Sequence, residues 1–284
     1  MRLRIAHTSI YRYDPPAAGV IQVLRLTPRN HDGQYVRYWR IDVTPDARLT
    51  GHEDAFGNIG HVFTADGPLD ALSVAVDGVV ETQNTDGVVR GTVERFPPSL
   101  FLRDTALTVA DAPMREFAES IRAASAGNVL AVLHGLLDRL HYTIAGKAGD
   151  GEEAAAAANA AEAFASKHAG PKDLAHIFIG CAHYLGIPAR YVGGYCHGGS
   201  EAAAIDTAHA WVEAYVPDLG WVGFDAANCI CATDAHVRVA TGLDYLGAAP
   251  VRGTRYGGGA ETLTVDVRVE QAGRPGQWQS QTQS

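Results

Sequence analysis

"TAHAWVEAYVPDLGWVGFDAAN", residues 207–228, holds two β-patterned runs on either side of a turn. In the first run Ala210, Val212, Ala214 and Val216 alternate with His209, Trp211, Glu213 and Tyr215. A strand sends such alternate sets to opposite faces. In the second run Val222 and Phe224 oppose Trp221, Gly223 and Asp225. Each strand therefore has an apolar face for a core and an aromatic, polar face for a cleft. His209 and Asp225 share that polar face only if the connection has an odd number of residues or a bulge. Two registers meet the condition. One pairs His209 directly with Asp225 about a turn centred on Pro217; the other closes the hairpin at Pro217 and Trp221 with Gly220 left-handed. An imidazole that meets a carboxylate forms two parts of a nucleophilic triad, in which the carboxylate fixes the ring's tautomer and steadies its charged form.

Working outward, the chain has 284 residues, enough for one large domain or two ordinary ones. Its formal charge of −9 provides no basic field for nucleic acid or an anionic membrane, so neither is expected as a partner. "MRLRIAHTSIYRY" lacks the apolar run of a signal peptide, and no stretch nears the roughly 20 apolar residues of a membrane span. Four cysteines in a chain this long are no disulfide framework, which makes a reducing cytoplasm the expected compartment.

The first 82 residues read as strands separated by the turn-rich "TPRNHDG" and "EDAFGN". In "YVRYWRIDV" the alternation puts Tyr35, Arg37, Trp39, Ile41 and Val43 on one face. From about residue 100 the period lengthens. "APMREFAESIRAA" and "NVLAVLHGLLDRLHY" read as helices, and "GEEAAAAANAAEAFASKH" as an alanine-rich surface helix. "PKDLAHIFIGCAHYLG" is a further helix, followed by "IPARYVGGY", the quoted hairpin, "HVRVA" and "TLTVDVRVE" as strands. The expected organisation is a β-rich, sandwich-like region over 1–100, a mixed core over 101–270 and a polar tail over 271–284.

"LGIPARYV", "HAWVEAYVP" and "GWVGFDAAN", in this order after a helix opening at "GPKDLAH", resemble the bacterial transglutaminase-like family. The likeness covers most of the chain, including the β-rich start and "ETLTVDVRV". It implies an α+β, papain-like fold, with helices packed on an antiparallel sheet, and a Cys–His–Asp triad. By that likeness His209 is the general base, Asp225 orients it, and Trp211 and Tyr195 line a cleft for a protein or peptide ligand. Oligomeric state is left open.

Members of that family carry the nucleophilic cysteine at the start of the helix before "LGIPAR", within Gly-x-Cys-x-Asp. A helix N-terminus presents free N–H groups and partial positive charge, which favour thiolate. Here Asp173 and His176 match the family's Asp and His, so the cysteine position falls on Pro171. Proline is at home in a first helical turn but is no nucleophile. Cys181 falls on a core stripe with Leu174, Ile177, Phe178 and Leu185. Ser166 lies too far upstream, and Lys172 is expected to point to solvent. Cys196, in the loop "GYCHGGSE", and then Cys229 are the substitutes for a relocated nucleophile. A metal-dependent hydrolase using His209, Asp225 and the nearby Cys196, Cys229 and Cys231, with His197 in the same Cys/His group, is a rival, although C-x-C departs from the usual C-x2–4-C of zinc sites. A further rival is an interaction module acting through the N-terminal β region. The sequence reading is a protein with two-thirds of a triad, no metal or other cofactor, and a cleft kept for binding.

Overall fold

Leu3, Ile5, Tyr11 and Tyr13 are buried between more exposed neighbours along β1 (Arg2–Thr27), as period-2 alternation requires. The computed structural model describes residues 1–144, 157–198 and 208–272. β1 pairs antiparallel with β4 (Ile59–Thr82), whose outer edge carries β2 (Gln34–Thr44) and β3 (Thr50–Glu53). Register shifts between Arg12 and Ala17 bend the long β1–β4 ribbon. Its two halves then share one core that includes Tyr11, Val20, Leu24, Phe63, Leu72 and Val76, giving the sandwich-like body expected of the β-rich start. β2 departs from strict alternation. Val36 opposes Val80 while Tyr38 opposes Val79, so the strand carries a bulge at Arg37. The extra residue moves Val36 to the side of Trp39, Ile41 and Val43 and leaves Tyr35 exposed.

This sheet also takes strands from the other end of the chain. β11 (Val251–Gly257) and β12 (Ala260–Gln271) both pair with the free edge of β1, and β12 is the "TLTVDVRVE" strand. Two return strands thus cover an edge that would otherwise expose unpaired backbone groups.

The second sheet runs β10–β6–β7–β8–β5, all antiparallel: β5 (Val88–Val89), β6 (Ala189–Cys196), β7 (His209–Val216), β8 (Gly220–Asp225) and β10 (His236–Gly242), with β9 (Ile230–Cys231) beside β8. The helices α1 (Ala112–Ala124), α2 (Val129–Thr143) and α3 (Ala160–Ser166) open on the side-chain caps Asp111, Asn128 and Asn159. They surround α4 (Pro171–Tyr184), which also packs on β6 and β7. Every residue of α4 from Leu174 to His183 is buried, more than one stripe, because it has neighbours on all sides. The alanine-rich segment is helical over Ala160–Ser166; residues 151–156, like 273–284 of the polar tail, lie outside the described residues. A short α5 (Tyr245–Ala248) follows β10. No helix among the described residues is long and apolar enough to cross a membrane.

Glu213 points out of β7 into a buried ionic group. Arg190 bonds it at 2.7 Å from β6 and Arg238 at 2.7 Å from β10, while Arg190 also grips Glu94 in the segment before the helices. Burial opposes the Glu213 charge, but the two guanidiniums hold its carboxyl down at about 2. This group ties the three adjacent strands β10, β6 and β7 together.

Candidate active site

The β7–β8 hairpin adopts a register between the two that the sequence allows. Val212 opposes Phe224 and Val216 opposes Gly220, leaving the three-residue loop Pro217–Asp218–Leu219. Leu219 N–H donates to Val216 O, and Asp218 takes a positive φ of 69° after the proline, a type II turn. Gly220 follows at φ 90°. The odd loop length keeps His209 and Asp225 on one face, as required, but shifts them to diagonal positions. Their side chains close the gap: His209 Nε2 lies 2.7 Å from Asp225 Oδ2.

Asp225, fully buried at the end of β8, is saturated with donors. Its Oδ1 accepts the backbone N–H groups of Ala227 and Asn228. Its Oδ2 accepts His209, the Asn228 side-chain amide at 2.7 Å and His236 Nε2 at 3.0 Å. Burial works against the charge, yet the hydrogen bonds from the two imidazoles outweigh it and hold the carboxyl well below the usual carboxylate range. The bond to Asp225 puts the His209 proton on Nε2, which leaves Nδ1 as the basic nitrogen.

His209 also lines a cavity of about 350 Å³ between the two sheets. Its core-domain wall includes Lys172, Tyr191, Gly193 and Tyr245; its opposite wall includes His7, Ser9, Tyr11, Leu263 and Val265 from β1 and β12. Lys172 is therefore half-buried at the cavity, its ammonium 5.5 Å from the Tyr245 ring, rather than directed to solvent. Asp173 and His176, the residues that set the alignment, are half-buried and buried on α4; His176 Nε2 accepts the backbone N–H of Tyr245.

Trp211 and Tyr195 lie behind the cavity instead of lining it. Trp211 packs against both His209 and His236, stacked on the first with ring centroids 6.2 Å apart and edge-on to the second at 5.2 Å. Tyr195 is buried under the first sheet, its hydroxyl 2.9 Å from His7 Nδ1. Their places at the wall are taken by Gly193, Gly194 and tyrosines from elsewhere, because the first sheet covers β6 just where Tyr195 emerges.

Pro171 occupies the first turn of α4, after the N-cap Gly170, one residue before the cavity-lining Lys172. All four cysteines are free, and in each burial is the chief cause that raises the thiol pKa. Cys181 is fully buried and pushed up to about 12. Cys229 turns to Asp138, 3.5 Å away, and His197 Nδ1 donates to Val269 O at 2.9 Å, so neither joins His209. Cys196 does. Its sulfur, His209, Asp225 and His236 offer ligand atoms all within 4.8 Å of one another. His236 is the residue that sequence reasoning missed: it opposes Cys196 across the β10–β6 pair, a long-range pairing that no local pattern encodes.

Two family models match the chain, the bacterial transglutaminase-like N-terminal region over residues 3–81 and the transglutaminase-like superfamily over 115–226. The chain belongs to the transglutaminase-like superfamily. An uncharacterized protein of Mycobacterium leprae is 28% identical to this transglutaminase-like chain, covering 94% of it and 98% of the relative. One from Mycobacterium tuberculosis is 24% identical, over 95% and 92% respectively. The crystal structure of a "putative cysteine protease" from Cytophaga hutchinsonii superposes with a TM-score of 0.72, covering 98% of this chain and 92% of that one at 18% identity. That likeness is one of fold.

Proposed function

We propose that this transglutaminase-like protein binds a peptide- or amide-type ligand in the cavity beside His209 and forms no acyl-enzyme. The observation that carries this reading is Pro171 in the first turn of α4, next to cavity-lining Lys172, while His209 and Asp225 remain paired at 2.7 Å. In the family's chemistry a thiol there gives its proton to the imidazole, the thiolate attacks the amide carbonyl, and the amine leaves as a thioester forms. Proline offers no sulfur for that bond. The remaining parts suit binding. The cavity has room for one side chain or a short acyl group, tyrosines and aliphatics for its apolar part, and Lys172 and His209 for a carbonyl or carboxylate.

The test is Pro171→Cys. The wild type should release no ammonia or amine from glutamine peptides, and the variant should gain turnover that is lost with His209→Ala. Wild-type turnover abolished by His209→Ala would overturn the reading.

A second reading, a relocated thiol at Cys196, is favoured by that sulfur's place within 4.8 Å of the imidazole. Against it, burial and then the Asp225 charge push the thiol up to about 12, which starves the site of thiolate near neutral pH.

A further inference from the structure

Cys196, His209, Asp225 and His236 come from four different strands or strand ends and converge on one point. Asp225 Oδ2 lies 2.7 Å from His209 Nε2 and 3.0 Å from His236 Nε2, and the Cys196 sulfur completes a set whose ligand atoms are all within 4.8 Å of each other. Tetrahedral zinc with one sulfur at about 2.3 Å and N/O donors at about 2.0–2.2 Å separates its ligand atoms by about 3.3–3.7 Å. Four side chains need move only by about one ångström or less to reach that spacing, and the exposed Asn228 amide, whose Nδ2 lies 2.7 Å from Asp225 Oδ2, 3.4 Å from His209 Nε2 and 4.0 Å from the Cys196 sulfur, swings out of their centre to admit the ion. We infer that this cluster binds a thiophilic divalent metal ion, zinc by preference, using the Cys196 sulfur, both imidazoles and one Asp225 oxygen.

Chemistry and setting support the assignment. One thiolate and one carboxylate neutralise a 2+ ion, and a sulfur–imidazole set selects zinc or its thiophilic analogues over magnesium or calcium. Asp225 is already fixed from behind, its Oδ1 held by the N–H groups of Ala227 and Asn228. Supports of this kind orient a metal's ligands. Cys196 and His209 are half-buried while Asp225 and His236 are buried, so the cluster has a closed floor and an accessible side. Both imidazoles turn a protonated Nε2 to Asp225 and must shift that proton to Nδ1 to ligate; His236 is the costlier of the two. Its Nδ1 accepts the backbone N–H of Thr233 at 3.0 Å, which places the ring proton on Nε2. To ligate through Nε2 the ring moves that proton to Nδ1, where Thr233 Oγ1 at 3.4 Å is the acceptor at hand.

The inference rests on the reading above in one respect: no thiol at position 171 competes for His209. The same four groups would otherwise be a poised base with an idle cysteine, so the experiment must report sulfur ligation itself. The full chain, stripped with EDTA and returned to chelator-free buffer, is titrated with Co2+ and then Zn2+. One equivalent of Co2+ should bind with a sulfur-to-cobalt charge-transfer band in the near ultraviolet, and Zn2+ should displace it. The band should vanish in Cys196→Ser and persist in Cys229→Ser and Cys231→Ser; His236→Gln should weaken binding at least tenfold. In the wild type itself, with no variant to misfold, one equivalent of Zn2+ should slow iodoacetamide labelling of Cys196 at least tenfold. No saturable binding of one equivalent, a band indifferent to Cys196→Ser, or unprotected labelling would each overturn the inference. None of these outcomes bears on amide turnover by metal-free protein, which separately decides the absence of an acyl-enzyme.

Discussion

His209 and Asp225 are diagonal neighbours across the β7–β8 hairpin, with Asp225 two places from the residue directly opposite His209, yet ring and carboxylate meet at 2.7 Å. The carboxylate is what draws them together, because the same Oδ2 accepts His236 and Asn228 as well. Asp225→Asn keeps the shape, removes the charge and turns an NH2 group toward two imidazole donors. The variant should lose about 2–4 kcal/mol of stability. In the Pro171→Cys background, where His209 would have a thiol to deprotonate, it should also lower the acquired kcat by about 10²–10⁴-fold, since the ring's tautomer is no longer fixed. Urea unfolding and single-substrate kinetics read the two effects separately.

The diagonal register depends on the backbone of the loop. Gly220 has φ 90° with open space where a Cβ would be, so any penalty for a side chain is conformational and not steric crowding by neighbours. Gly220→Ala should therefore destabilise by about 1–2 kcal/mol. Asp218→Gly, at φ 69°, should be neutral or stabilising by a few tenths of a kcal/mol, because glycine adopts that conformation without strain. A thermal melt of both variants distinguishes a loop that sets the register from one that merely tolerates it.

What the sequence disclosed, and what it did not, follows from the range of the interactions. Alternation in "AHAWVEAYV" and "GWVGFDA" put His209 and Asp225 each on the polar face of its own strand, because facing is a local, period-2 property of a strand; that the two faces coincide depended on the odd length of the loop. Pro171 at the head of α4 was legible for the same reason: a proline's fitness for a first helical turn is a property of one position. The exact register was not, since Pro217, Asp218 and Gly220 allow more than one turn. The bulge at Arg37 in β2 was not legible because an inserted residue leaves no mark on the hydrophobic pattern until its partner strand is known. His236 and the cavity wall of His7, Ser9 and Tyr11 arise where β10 meets β6, 40 residues apart at His236 and Cys196, and where the first sheet meets the second, 238 apart at His7 and Tyr245.

Two buried histidines predict how the fold responds to acid. Burial lowers His7 and His176 from 6.5 to about 4, so both stay neutral in the folded chain while their unfolded counterparts titrate near 6.5. A depressed folded pKa means that the unfolded state binds more protons between these values. The stability they contribute is complete above about pH 6.5 and is lost progressively as pH falls toward 4. Each should add a slope of at most about 1.4 kcal/mol per pH unit in that window. In His7→Gln, which retains polar groups for Tyr195 and Ser9, the slope between pH 6.5 and 4 should fall by about one proton's worth. An unchanged slope would mean that His7 titrates normally in the folded state.

The buried ionic group around Glu213 sets the last expectation. Glu213 is fully buried between Arg190 and Arg238, and Arg190, itself nearly inaccessible, has Glu94 as its second partner. Removing the central charge with Glu213→Gln leaves two guanidiniums facing one exposed-side carboxylate, and truncating one member of a buried ion pair costs about 3–5 kcal/mol. Glu94→Gln should cost less, about 1 kcal/mol or a little more, because Glu94 is about one-third exposed and water screens the loss. The two effects should also be non-additive, since both changes act on Arg190. A double-mutant cycle in urea should therefore return a coupling energy of about 0.5–3 kcal/mol. Additivity within about 0.3 kcal/mol would show that Arg190 does not transmit between them, and that β6, β7 and the segment carrying Glu94 are held together by packing alone.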